Sequence, residues 1–151
     1  QMKLSWIAVN GPKAFREDAL ARLEVIADTY LSVNTPAQNA LPQWFKALPV
    51  MQEQVLARVK GNYELLKGRL AKKSTGRLFP VEGGWYAVLK LDLHLSEDEW
   101  ALALLQEEHV YVHPGFFFDF EKEGYVVLSL LPEPHIFEEG VERLCRRLKA
   151  P

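Results

Sequence analysis

The chain has 151 residues, 18 basic and 20 acidic side chains, a net charge of −2 and 48% apolar residues. That is enough for one ordinary domain, or a small domain with pieces of another, and it excludes a disordered chain. The balanced charge gives no electrostatic case for nucleic acid or a membrane surface, and no apolar run approaches the roughly 18 residues needed to span a bilayer.

Gln1-Met2-Lys3-Leu4 leads directly into an apolar segment, with no visible signal peptide, and resembles the middle of a protein more than a natural beginning. Leu4 to Val9 reads as a short buried strand ended by the turn signal Asn10-Gly11-Pro12. Phe15, Ala19, Leu23, Ile26 and Tyr30 recur at steps of three and four, which predicts an amphipathic helix over about 14–31. Thr35 caps a second, short helix with Pro36 in its first turn, and Leu48-Pro49 ends it. A long helix follows from Val50 or Met51 to about Lys73, with Val55, Val59, Tyr63, Leu66 and Leu70 as its stripe, and Ser74-Thr75-Gly76 closes it.

Gly83-Gly84 precedes a strand over Trp85 to Leu91. Ser96-Glu97-Asp98-Glu99 is a capping box that starts a helix running to about Gln106. His109 to His113 alternates like a strand and turns at Pro114-Gly115; Tyr125 to Leu131 is another strand. A last helix follows Pro132 and Pro134, with Phe137, Val141, Leu144, Cys145 and Leu148 on one face. From residue 75 this β-α-β-β-α order implies an α+β unit, one small sheet covered by helices. A lone strand at 4–9 must join a sheet, either the later one or one formed by sequence that is absent here.

Single residues prove no chemistry. Cys145, the one cysteine, lies in an apolar stripe and reads as a buried structural thiol. It cannot form an internal disulfide, so nothing asks for an oxidising compartment and a cytoplasmic location is expected. His94, His109, His113 and His135 are not at metal spacing on one helix. His109 and His113 fall on one strand face without a Cys or acidic partner, so surface or turn roles are favoured over a metal site. Asp18 and Glu24 are solvated helix charges, and Gly83-Gly84 lacks phosphate-loop spacing.

The ordered motifs carry more. Met2 to Pro12 (M-K-L-S-W-I-A-V-N-G-P), Ala27 to Gln38 (A-D-T-Y-L-S-V-N-T-P-A-Q), Gly83 to Leu91 (G-G-W-Y-A-V-L-K-L), His109 to Phe118 (H-V-Y-V-H-P-G-F-F-F), and Tyr125 to Ser129 followed by Phe137 to Leu144 stand in this order. Together they resemble the C-terminal part of the class I/II, fold-type I, pyridoxal-phosphate-dependent aminotransferases. The resemblance implies an α/β protein in two parts. Residues 1–50 would be a remnant strand and helices of the large cofactor-binding domain, and 51–151 the small domain of the pyridoxal-phosphate-dependent transferase fold.

The same resemblance implies a parent enzyme that moves an amino group between an amino acid and a 2-oxo acid, acts as a homodimer and uses pyridoxal phosphate. No cofactor is expected on this chain alone. The family's imine-forming lysine lies in a Ser-Lys pair about ten residues before the Lys3 position, so no catalytic residue is assigned here. Lys3 occupies the place of an arginine that pairs with the cofactor phosphate, and Asn34 falls in a substrate-binding segment. Val127 stands where the family places the arginine that clamps the substrate carboxylate. Arg22, Arg69 and Arg143 read as helix charges and offer no replacement clamp. Either another residue supplies the charge, or the substrate presents no carboxylate there, or activity has been lost. A different class of function remains beside this one: a non-catalytic ligand-binding or regulatory module that reuses the small domain.

Overall fold

The computed structural model describes residues 3–30, 33–71, 76–91 and 95–148. The chain divides into two units, Gln1–Met51 and Gln52–Pro151.

In the first unit, Asn10 Oδ1 accepts the Gly11 N–H at 2.8 Å, and Gly11 has φ +144°. This turn sends the chain into helix α1, Lys13–Asp28. Helix α2 begins at Thr35. Its cap is Asn34, not Thr35: Asn34 Oδ1 accepts the Ala37 N–H at 3.1 Å. The expected strand over Leu4–Val9 does not form, and Trp6 and Ile7 are exposed. A strand exists only through pairing, and the described residues of this unit include no other strand. The Trp6 ring instead meets Phe45 edge-on, with centroids 5.6 Å apart.

The two helices expected on either side of Pro49 are one. Helix α2 runs unbroken over Thr35–Leu70 with Pro42 and Pro49 inside it. A proline removes its own N–H and crowds the carbonyl four residues back, but the ladder on each side can continue in register. The expected stop at Ser74-Thr75-Gly76 lies mostly outside the described residues.

The second unit is built on a four-stranded antiparallel sheet. Its strands are β1 (Arg77–Leu78), β2 (Tyr86–Lys90), β3 (His113–Pro114) and β4 (Tyr125–Ser129), in the order β1-β2-β4-β3. Strand β1 had no separate signal, because two residues are too few to show alternation. The strand expected over His109–His113 shrinks to its last residue plus Pro114. The cause is His109, which adopts the left-handed conformation (φ 56°) and caps helix α3, Glu97–Glu108, while the Val110 N–H donates to Leu104 O at 2.9 Å.

Alternation gives the sheet two faces. Ala87, Leu89, Val126 and Leu128 turn to a core completed by Leu66 and Leu70 of α2, Trp100 and Leu104 of α3, and helix α4, Pro134–Arg147. The apolar stripe foreseen for α4 is the buried one: Phe137, Val141, Leu144 and Cys145. Asn62, almost fully buried on α2, donates through Nδ2 to Leu130 O and Pro132 O, both at 2.9 Å, and so ties that helix to the β4–α4 connection.

The capping box forms as expected. Ser96 N–H donates to Glu99 Oε2 at 2.8 Å, and the Glu99 N–H donates to Ser96 Oγ at 3.3 Å. The backbone bond first, and the Ser96 hydroxyl second, hold the Glu99 carboxyl below its ordinary value. Its folded-state value is depressed, so its small stabilising share is present at neutral pH and is lost as pH falls through that value.

Gly115, buried after β3, admits no side chain. A Cβ there would lie 2.7 Å from Tyr125 Cβ, 2.8 Å from Phe120 Cδ2 and 3.0 Å from Glu97 Oε1. Tyr125 Cβ is fixed by β4, so the clash cannot be relieved by a rotamer change alone. Gly115→Ala is expected to lower stability by about 1–3 kcal/mol, the usual cost of overpacking. Equilibrium urea unfolding should show a lower midpoint at unchanged slope.

Candidate functional site

The second face of the sheet, away from the core, carries the candidate site. Register fixes which side chains share it. Tyr86 pairs with Ser129, Val88 with Val127, Lys90 with Tyr125, and His113 with Val127 from the other side. Directly paired residues in antiparallel strands project to the same side, so Val127 lies mid-face between Val88 and His113. Although it turns away from the core, Val127 is only 1% exposed.

An aromatic layer occupies one end of this face. The His113 ring centroid lies 6.4 Å from Tyr86, 6.0 Å from Phe118 and 4.8 Å from Tyr111. Tyr86 meets Phe118 edge-on at 5.7 Å. The Tyr111 hydroxyl and His113 Nδ1 are 3.3 Å apart, within hydrogen-bond distance. These rings remain open to solvent: Tyr111, Phe117 and Phe118 are exposed and His113 is half-buried. The other end of the face is basic. Arg77, paired with Lys90, stacks its guanidinium 5.1 Å above the Phe79 ring, and the Lys90 ammonium lies 5.5 Å from the Tyr125 ring.

Glu97 fixes the turn that delivers the aromatic layer. Its side chain is buried, and its carboxylate accepts the Tyr125 N–H at 2.7 Å and the Phe116 N–H at 3.0 Å. One anion thereby joins the first turn of α3, the start of β4, and the short 3₁₀ turn over Gly115–Phe118. The capping box accounts for Glu99 and leaves the role of Glu97 unstated in the sequence. The missed signal is the excess of acid: Glu97, Asp98 and Glu99 are consecutive, whereas the box uses Glu99 alone.

The residues singled out from the sequence fall as follows. Lys3 is exposed and forms no ion pair among the described residues. Asn34 is exposed, and its Oδ1 is engaged in capping α2. Both belong to the first unit, whereas Val127 lies on the sheet of the second. Arg69 of α2 bridges Glu138 at 2.7 Å and Glu142 at 3.1 Å on α4, and Arg143 pairs with Glu139 within α4 and donates to Glu108 O of α3 at 3.0 Å; both serve helix packing rather than the site. His109 and His113 do not share a strand, since His109 caps α3. His94 lies outside the described residues. No group of three or more metal-ligating side chains occurs among the described residues. None of their helices is long and apolar enough to cross a membrane.

No protein-family model matches the chain. It is 24% identical over 152 residues to the glutamate-pyruvate aminotransferase AlaA of Haemophilus influenzae, covering 95% of this chain and 37% of that protein. Among solved structures it is similar to an aspartate aminotransferase from Thermotoga maritima, at TM-score 0.73 and 26% identity, over 89% of this chain and 34% of that one. An aminotransferase from Escherichia coli shares the fold at TM-score 0.74 and 21% identity, over 93% of this chain and 36% of that one. The chain thus spans little more than a third of the length of the curated relative it matches. In sequence and fold the chain is similar to aminotransferases over about a third of their length.

Replacing Glu97 tests how far the site depends on its carboxylate. Glu97→Ala leaves two inward backbone N–H groups without a charged acceptor. It is expected to cost about 2–6 kcal/mol, at roughly 1–3 kcal/mol for each unsatisfied group. Glu97→Gln, which keeps one acceptor oxygen, should cost less than half of that. Unfolding curves give the energies, and near-ultraviolet circular dichroism should show loss of the aromatic signal first in the alanine variant.

Proposed function

We propose that these 151 residues form the C-terminal part of an enzyme that moves an amino group between an amino acid and a 2-oxo acid. Residues 1–50 belong to its large cofactor-binding domain and residues 51–151 are its small domain. The observation that carries this reading is the similarity to aminotransferases along 95% of the chain, in one motif order and one fold. Pyridoxal phosphate supplies the electron sink for that reaction when bound.

This chain contributes contacts and closure. Lys3 offers a cation to the cofactor phosphate. Asn34 belongs to the substrate-facing side of its helix start. The aromatic face around Val127 turns to the substrate and excludes water from it when the small domain closes. The imine-forming lysine is supplied by sequence outside this stretch, because none of the lysines here sits in a Ser-Lys pair of the family type.

The rival reading is a non-catalytic binding module; in the present proposal the exposed rings of the aromatic face border a substrate contact. The parent acts as a homodimer in this proposal. The apolar side chains left open in the first unit, Trp6, Ile7, Trp44 and Phe45 among them, form part of the surface covered by a large domain and a partner subunit.

Two measurements test the reading. The 151-residue chain mixed with pyridoxal phosphate should give no stoichiometric visible band, whereas the full-length protein should give one and should transaminate. A stoichiometric band from the short chain, lost on mutation of one of its lysines, overturns the assignment of the catalytic lysine to other sequence. Sedimentation at high concentration should show the short chain self-associating, and Trp6→Ser with Phe45→Ser should reduce that association. A strictly monomeric profile counts against the interface.

A further inference from the structure

We infer that His113 carries the substrate carboxylate in place of the arginine that is absent at position 127. The inference rests on the aminotransferase reading, in which Val127 marks the place where the carboxylate arrives.

Valine has no donor, so a carboxylate brought there must find one on a neighbouring strand. Two strands flank β4. On β2 the direct partner of Val127 is Val88, also apolar. On β3 the direct partner is His113. Directly opposed side chains start about 4.5–5.5 Å apart at Cβ. His113 is therefore the first side chain beside position 127 that can offer a hydrogen to an anion. Tyr111 holds Nδ1 at 3.3 Å, and the rings of Tyr86 and Phe118 flank the imidazole. With the Tyr111 hydroxyl donating to Nδ1, Nε2–H is the donor left for the carboxylate, in a ring already oriented. Partial burial favours the contact further, since His113 is half-buried within the aromatic layer and loses little hydration when the anion binds.

The basic side chains on the face fit less well. Lys90 and Arg77 stand one row away, beside Tyr125, and each lies over an aromatic ring. The aromatic surround also specifies the rest of the ligand: a carboxylate attached to a flat or bulky apolar group, which the exposed faces of Tyr111, Phe117 and Phe118 can cover.

The test uses the full-length protein and a pair of unreactive probes, 3-phenylpropionate and its neutral amide, 3-phenylpropanamide, titrated by calorimetry. The unmodified protein should bind the carboxylate more tightly than the amide. His113→Ala should weaken the carboxylate about tenfold to a hundredfold, the range for loss of one hydrogen bond to a charged group, and leave the amide unchanged. His113→Gln, which retains a donor, should recover part of the loss and guards against a folding defect in the alanine variant. Lys90→Met should change neither probe, and Val127→Arg should give no gain. Equal weakening of both probes by His113→Ala, no weakening, a loss located at Lys90, or tightening by Val127→Arg each overturns the assignment. A protein that shows the cofactor band but no dependence on His113 sinks this inference alone. A protein that binds the carboxylate through His113 but takes up no pyridoxal phosphate upholds the contact and sinks the aminotransferase reading.

Discussion

The second unit depends on one buried anion. Glu97 lies within the first turn of a helix, where the backbone's positive end favours a carboxylate. Its oxygens reach across to Phe116 and Tyr125 instead of staying with their own helix. Because these residues begin the turn after β3 and the strand β4, one side chain sets the spacing of a helix, a turn and a strand. Gly115 follows from it: the backbone passes so close to Glu97 and Tyr125 that no Cβ is admitted. Asn62 plays the corresponding part at the other end of β4, where one amide holds two carbonyls of the exit loop. The central strand is thus fastened at both ends by polar side chains within an otherwise apolar interior.

That fastening gives the outer face its character. Val127 sits mid-strand, where β-branched residues pack well on a pleated surface. Beside it Tyr86, His113 and Phe118 form a mutually supported aromatic layer. Such a layer presents ring faces and edges, and the Tyr111–His113 pair, to whatever meets it.

How much of this was legible in the sequence varied with the length and self-sufficiency of each signal. Helices α3 and α4 were legible because their signals are local: a capping box in one, and in the other a stripe with Phe137, Val141 and Leu144 on one side. Strands β2 and β4 were legible as β-rich runs. The segment at 4–9 has the same composition but forms no strand, because strand character is decided by a partner and not by composition. Pro49 was read as a stop, yet α2 passes through it, since a proline perturbs one turn without dictating the next. His109 and His113 seemed to share a face until the left-handed cap at His109 changed the phase of the chain. The clasp by Glu97 spans 19 and 28 residues and leaves no periodic trace. The motif order gave the location of the Val127 face; register alone gave its neighbours.

The sheet ends on both sides in strands of two residues, and the outermost position on one side is a proline. A strand offers itself to another chain through a row of unused N–H and C=O groups, and here each row is at most two residues long. Pro114 contributes no N–H to its row at all. This unit is therefore poorly suited to extend its sheet into a neighbour or to seed a stacked fibre. Whatever it associates with must meet it face to face, through side chains. Among the described residues of this unit, Tyr111, Phe117 and Phe118 lie open around His113, so a partner that meets the unit there covers those rings.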